Sequence, residues 1–414
     1  MPTEFDGWGT SLAWWANIDY PQNIAKEICE LLFSRDKLGL NIVRYNLGGG
    51  WNPSTPPPQD NYVFMPCVLN EPLDSMDFDV DHKQMSILHN AVELGVDNVE
   101  LFINSPPWWM TLSKSTAGAT KPWRNNFNPL WTREFVEYVS NACRYLLDSK
   151  IPLKSVELFN EPLSPAWVST NWQEGCSWSY CLRRRVMGAL YDAFQRNRLE
   201  HLEIASADEF TSGAGLLWWL FTPKYISKKV NVHGYRLSDF SNIQTCGVED
   251  LGVWRRLLRL FSEGQLWMSE YGCSTHDLEG ALGFGQHIMR DLRLLKPRAW
   301  IVWQGVSDIS NEWGLISVNP LDPTSFSFNM KYYVMLHFTK VLEPKDSYDF
   351  VDSQILRVYK ESTGEIHYVV IPSRPLNLSF LPERCRVTDA THTFEQVLTP
   401  CVLQPNSIYS FGIK

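Results

Sequence analysis

From residue 8 to about residue 340, short β-branched or apolar runs alternate with longer segments whose apolar positions recur every three to four residues. The runs predict strands at Trp8–Leu12, Leu40–Asn46, Asn98–Ile103, Ser155–Phe159, Leu202–Ala205, Lys229–His233, Leu266–Glu270 and Trp300–Trp303. The longer segments predict helices at Ile24–Phe33, Met85–Leu94, Arg183–Phe194, Leu251–Phe261, Ile288–Leu295 and Tyr332–Phe338. A further helix is marked by Phe135, Val136, Val139, Ala142, Cys143, Leu146 and Leu147, whose spacing leaves Arg133, Glu137 and Arg144 facing water. Strands each followed by a helix predict an α/β fold, a (β/α)8 TIM barrel, whose active site lies at the C-terminal ends of the strands.

After about Val341 the pattern changes. Gln354–Lys360, Glu365–Ile371, Arg384–Thr388 and Ser407–Ile413 alternate or carry β-branched residues, punctuated by prolines. The expected organisation is a catalytic barrel over residues 1–340 and a small C-terminal antiparallel β-sandwich domain over residues 341–414, which a few N-terminal residues can join. At about 74 residues the second part is small for an independent core and is expected to pack against the barrel. Pro53-Ser54-Thr55-Pro56-Pro57-Pro58 predicts a stiff loop after the second strand.

Composition narrows the function classes. Hydrophobic residues make up 44% and charged residues 20% of 414, ordinary for a folded chain. The formal charge of −9 repels phosphate backbones and anionic lipid surfaces, which argues against nucleic acid as a partner. Even the run Gly215–Phe221 is far shorter than the roughly 18 apolar residues of a membrane helix. Nine cysteines cannot all pair, and no C-x-x-C spacing suggests zinc; Cys176 with Cys181, and Cys385 with Cys401, are candidate bridges. The first residues, Met1–Asp6, lack the order of a signal peptide, which fits a cytosolic protein or, the favoured reading, a secreted one supplied without its leader.

The candidate chemistry sits at strand ends. The fourth predicted strand stops at Asn160-Glu161-Pro162, where the proline forces the chain out and leaves a carboxylate at the rim. The seventh runs into Ser269-Glu270-Tyr271-Gly272. Two carboxyl groups across one mouth suit glycosidic bond cleavage, in which one protonates the leaving oxygen and the other attacks or assists at the anomeric carbon. Eighteen Trp, 16 Tyr and 21 Phe add rings suited to the C–H faces of sugars, although most rings in any chain are core.

Asn160-Glu161-Pro162 and Trp267-Met268-Ser269-Glu270-Tyr271-Gly272 resemble the acid/base and nucleophile motifs of the retaining clan A glycoside hydrolases. Phe5–Ser11, Asn41–Arg44, Ser105–Met110 and Lys331–Met335 resemble family 30 in particular, a (β/α)8 barrel with an attached β-sandwich. Gly7–Ala16 is most similar to its endo-β-1,6-galactanase branch. The resemblance implies Glu161 as general acid/base and Glu270 as nucleophile. It places Asn160 on the sugar 2-OH, Arg44 and Tyr235 beside Glu270, and Trp303 under the sugar ring. Trp14 stands where glucosylceramidases of the family have an acidic residue, and Asn104 where many members have Trp. Both changes argue against a glucosylceramidase and for a different sugar epimer.

Trp14, Trp109 and the other loop rings Trp15, Trp108, Trp167, Trp172 and Trp178 cannot all be ligand platforms. Asp208 and Glu209, at the end of the fifth strand, suit either substrate hydroxyls or a loop ion pair. No H-E-x-x-H, G-x-S-x-G or phosphate-loop motif occurs, and His82 with His89 is a poor metal pair. The expected partner is an oligo- or polysaccharide, with no cofactor and no metal; the oligomeric state stays open.

Overall fold

The computed structural model describes residues 3–56, 61–72, 74–235, 252–262 and 265–413; Pro57, Pro58 and Leu251, at the edges of two predicted elements, lie outside them. The first strands are β1 (Thr3–Glu4), β2 (Gly7–Ser11), β3 (Ile42–Asn46), β4 (Asn98–Phe102) and β5 (Leu153–Glu157). They are followed by β6 (Glu203–Glu209), β7 (Lys229–His233), β8 (Leu266–Tyr271) and β9 (Ala299–Gln304). β2 to β9 close in chain order into a barrel. Each of the eight predicted barrel strands is present, with ends displaced by a few residues, and the fold is the (β/α)8 barrel with a separate antiparallel sheet.

By internal contacts the chain forms two compact units. One comprises residues 10–20 and 41–233 and carries β3 to β7 with helices α2 (His82–Glu93), α3 (Thr132–Asp148), α4 (Tyr180–Asn197) and α5 (Ser212–Phe221), preceded in the chain by α1 (Gln22–Phe33) of the other unit. Its strands pair in parallel, for example Ile42 with Asn98 and Val156 with Ile204. The apolar stripe of α3 buries Phe135, Val139, Ala142, Cys143 and Leu146, as its 3–4 spacing requires. In α5 apolar residues occupy almost every position, so no stripe marks it; it starts where the Thr211 hydroxyl accepts from Ala214 N–H, a cap contributing about 1 kcal/mol.

The other unit comprises residues 1–9, 21–40 and 234–414, with α6 (Val253–Phe261), α7 (Leu278–Leu294) and α8 (Met330–Thr339). A three-stranded sheet forms from β10 (Val306–Asp308), β11 (Ile316–Val318) and β12 (Phe326–Phe328). The C-terminal strands are β13 (Ser347–Asp352), β14 (Ile355–Tyr359), β15 (Ile366–Val370), β16 (Arg384–Thr388), β17 (Thr393–Leu398) and β18 (Ile408–Ile413). With β1 they form a seven-stranded sheet in the order β1-β13-β14-β15-β18-β16-β17. Tyr368, Val370, Cys385, Val387, Leu403, Tyr409 and Phe411 build its core.

The two candidate bridges do not form, because Cys176, Cys181, Cys385 and Cys401 are all free thiols. In each pair one thiol is buried and the other exposed: Cys385 is core while Cys401 is on a surface loop, and Cys176 is buried while Cys181 opens α4. Cys273 is disulfide-bonded. Among the described residues no helix is long and apolar enough to cross a membrane.

Candidate active site

Three carboxylates and two cations stand inside one half of the barrel, where branched aliphatic side chains are the rule. Arg44 on β3 donates from Nε to Glu100 on β4 at 3.0 Å and from Nη2 to Asp208 on β6 at 2.6 Å. Lys229 on β7 donates to the second Glu100 oxygen at 2.6 Å, and Ser155 and Asn231 donate to the same carboxylate. All five are fully or almost fully buried. Burying an unpaired ion costs several kcal/mol, so the pairing decides whether this interior is tolerated. Burial alone would raise the Glu100 carboxyl, but Lys229 and Arg44 outweigh it and hold it below the usual range. The third carboxyl, Glu157, is pushed well above the usual range by burial and by the charges of Asp208 and Glu100. Burial and these neighbouring charges thus favour the protonated form of Glu157, beside two carboxylates that are paired with cations.

Glu161 hangs from the end of β5 by its own backbone. Its φ is +44°, in the left-handed region, immediately before Pro162, a combination of order 1–3 kcal/mol in strain. Three hydrogen bonds hold it: its N–H donates to the Asp208 carbonyl at 2.8 Å, and its own carbonyl accepts from Ser164 N–H at 2.8 Å and from the Trp167 indole at 2.8 Å. Trp167 lies so close over Gly175 that a Cβ there would stand 2.1 Å from the indole ring, so only glycine lets this latch close. Ala207 and Asp208 also have positive φ, +92° and +43°, at a register shift in β6. This bulge turns Asp208 into the barrel while Glu209 pairs with Arg183 on α4 at 2.6 Å. Both acids of the fifth barrel strand are thus ion-paired.

His233, at the end of β7, bridges the two sides of this unit. Its Nδ1 lies 2.9 Å from Glu161 Oε1 and its Nε2 3.2 Å from Asp208 Oδ1. Burial raises the Glu161 carboxyl above its ordinary value; His233 opposes the rise and the charge of Asp208 adds to it. A carboxyl that keeps its proton toward neutral pH is suited to protonate a leaving oxygen. Asn104 and Asn160 are buried, and their side-chain oxygens have no hydrogen-bond partner among the described residues, which leaves two acceptors at the strand ends. The Trp14 ring packs edge-on against Trp172 at 5.2 Å, and Trp109 donates to the Leu69 carbonyl and packs on Trp131.

In the other unit, Glu270 on β8 accepts a hydrogen bond from the Tyr235 hydroxyl at 3.1 Å, the partner expected from the sequence. The Gly234 N–H donates to the Glu270 carbonyl at 2.9 Å, which ties this residue to the segment carrying Tyr235. Tyr271 stacks on His287 at 3.5 Å and fixes the opposite side of the strand. Trp303 is buried on β9. Buried Lys331, whose ammonium burial pushes down to about 7, donates to the carbonyls of Cys273, Glu312 and Trp313 and so fixes the loop on which Trp313 approaches Tyr235 at 6.4 Å.

A parallel barrel with buried glutamates at the ends of its fourth and seventh strands holds two carboxyl groups of the kind glycosidic bond cleavage uses. The chain is a member of O-glycosyl hydrolase family 30, whose sequence model matches residues 4–299, and it is a glycoside hydrolase. It is 30% identical over 366 residues to an endo-β-1,6-galactanase of Hypocrea rufa, a match covering 81% of this chain and 71% of that protein. It is 23% identical over 423 residues to an exo-β-1,6-galactobiohydrolase of Bifidobacterium longum, covering 76% of this chain and 27% of that much longer protein. Among solved structures, a conserved exported protein from Bacteroides fragilis shares the fold at a TM-score of 0.83 and 17% identity, over 100% of this chain and 98% of that one.

His233 carries no strong signal in the sequence: one histidine closes a strand of alternating polar residues and valines, and only the fold brings it to Glu161. Glu100, Glu157 and Lys229 likewise read as single polar positions inside strands.

Proposed function

We propose that the chain hydrolyses β-1,6-galactosidic linkages of galactan or arabinogalactan side chains with retention of configuration. The observation that carries this reading is the 30% identity to a protein named endo-β-1,6-galactanase, in a chain whose Glu161 and Glu270 stand at the expected strand ends. In the first step the Glu161 carboxylic acid gives its proton to the glycosidic oxygen while the Glu270 carboxylate attacks the anomeric carbon. The leaving sugar departs with that proton, and a glycosyl ester on Glu270 remains. In the second step Glu161, now a carboxylate, takes a proton from water, and the water oxygen displaces Glu270. The Tyr235 hydroxyl orients Glu270 for the attack. The oxygen of Asn160 accepts from a sugar hydroxyl, Asn104 recognises a second one, Arg44 fixes the barrel interior behind them, and Trp14 and Trp303 offer apolar surface to sugar C–H faces.

The specificity follows from Trp14 and Asn104. A ring cannot hydrogen-bond an equatorial hydroxyl, so the wrong epimer leaves a hydroxyl buried without a partner, at a cost of about 1–3 kcal/mol or roughly five- to 150-fold in rate. Product analysis on β-1,6-galactan, β-1,6-glucan, xylan and glucosylceramide is expected to show cleavage of the galactan, with the glucan slower by that factor. Equal efficiency on galactan and glucan overturns the galactosyl assignment. Trp14→Ala is expected to slow galactan hydrolysis, and unchanged kinetics assign that ring to packing.

The pH profile has a sign that the surroundings of Glu161 set. The acid form of Glu161 is active in the first step, so kcat/KM falls as pH rises through its pKa. His233 lowers that pKa and Asp208 raises it. His233→Asn is expected to move the alkaline limb to higher pH and Asp208→Asn to lower pH. Shifts in the same direction, measured on a β-1,6-galacto-oligosaccharide whose leaving sugar must be protonated, contradict the assignment of that limb to Glu161.

A further inference from the structure

A second concave site, lined by neither glutamate, lies within the unit that carries the C-terminal sheet. It is a groove of about 700 Å³ bounded by the end of α1, the outer side of α8 and one face of β15 to β18. Its volume falls in the ordinary range for ligand sites. The mechanism uses none of its residues.

Its chemistry is of two kinds. Phe328, Tyr332 and Tyr333 form one aromatic wall, with ring centroids 4.8 to 5.8 Å apart, and Phe328 is 41% exposed. Opposite, Phe394 is held at a φ of +62°, a conformation that costs a non-glycine residue, by the Thr388 hydroxyl accepting from its N–H. Strain of this kind is retained where the surrounding structure over-determines it, and here it sets an aromatic ring at the groove. The second kind is positive charge: Lys37, Lys340, Arg384 and Arg386 line the groove against the single carboxylate of Asp36. Arg386 lies over the Phe394 ring at 5.0 Å, and Lys340 donates to the Arg35 carbonyl. The side chains of Lys37 and Arg384, both exposed residues, make no hydrogen bond or ion pair with any described residue. A patch of net positive charge in a chain of net −9 points to a ligand of opposite sign.

Aromatic faces beside unpaired cations match a sugar that carries a carboxylate: the rings take C–H faces, and arginine takes the carboxylate in a two-point hydrogen-bonded pair. We propose that this groove is an ancillary binding site for uronic-acid residues of the polysaccharide. This inference rests on the reading of the chain as a polysaccharide hydrolase. Binding there tethers the polymer and raises its effective concentration at the catalytic carboxylates, so it acts on KM for decorated polymer and leaves turnover of small substrates unchanged.

The test uses the full chain carrying Glu270→Gln, titrated calorimetrically with a glucuronate-bearing galacto-oligosaccharide, its neutral counterpart and inorganic phosphate. The uronate sugar is expected to bind, more weakly as salt rises, and Arg384→Glu with Arg386→Glu is expected to weaken it by about tenfold or more. Phe328→Ala, an exposed position, is expected to weaken the same ligand without altering the fold. In the otherwise unmodified enzyme the double arginine reversal is expected to raise KM for uronate-bearing polymer and to leave a small chromogenic galactoside unaffected. Uronate binding no stronger than that of the neutral sugar, whose binding at the catalytic carboxylates the arginine reversals leave untouched, equal binding of phosphate, or uronate binding insensitive to those reversals overturns the proposal. Hydrolysis surviving in Glu270→Gln contradicts the catalytic reading alone, since the titration does not depend on turnover.

Discussion

Glu270→Ala is expected to lower turnover of β-1,6-galactan by about 10⁴- to 10⁶-fold, because no other group can form the glycosyl ester and water alone must attack. Glu161→Ala is expected to lose about 10²- to 10⁴-fold on the same polymer, the range for a general acid. The two losses differ in kind as well as size. A substrate with an activated leaving group needs no proton in the first step, so Glu161→Ala should form the glycosyl ester on it and stall there. Added azide then attacks that ester without base help, restores turnover and gives a β-glycosyl azide. In Glu270→Ala no ester forms, and azide can only attack from the opposite face, giving the α-azide. The kinetic check is the azide dependence of release of an activated phenol, with the anomer identified by NMR. Identical responses in the two variants contradict the division of roles.

The largest expected loss of stability is at Arg44. Its guanidinium reaches both Glu100 and Asp208 with no exposure to solvent, so Arg44→Met strands buried carboxylates and should cost about 3–5 kcal/mol. Lys229 still faces Glu100, and His233 still lies 3.2 Å from Asp208. Arg44→Lys preserves the charge but not the two-pronged geometry and is expected to lose less. Thermal unfolding of the three proteins checks the order. An unchanged melting temperature in Arg44→Met contradicts the reading of Arg44 as the cation that makes burial of Glu100 and Asp208 tolerable.

The architecture was legible wherever burial leaves a period. Ala299–Gln304 is apolar up to its last residue, and α3 shows its stripe of buried apolar positions. Elements without such contrast were missed. α5 is apolar at nearly every position, β17 is an exposed edge strand, and β13 mixes acids among its apolar residues, so none has the signature its geometry would otherwise print. The glutamates were legible because Pro162 and Gly272 punctuate the strand ends. The network around them was not, since Arg44 and Asp208 lie 164 residues apart and Asp208 turns inward only through a bulge with positive φ. Sequence spacing also suggested bridges for Cys176 and Cys385, but it carries no information on which side of the chain a thiol faces.

Retaining hydrolysis of a β-1,6-galactosyl bond by Glu161 and Glu270 is read in the anomer of the first product. Proton NMR recorded during hydrolysis of a β-1,6-galacto-oligosaccharide, before mutarotation equilibrates the sugar, should show the new reducing end appearing as the β-anomer and relaxing toward α. Initial release of the α-anomer, or an oligosaccharide left intact by the folded enzyme, contradicts the account.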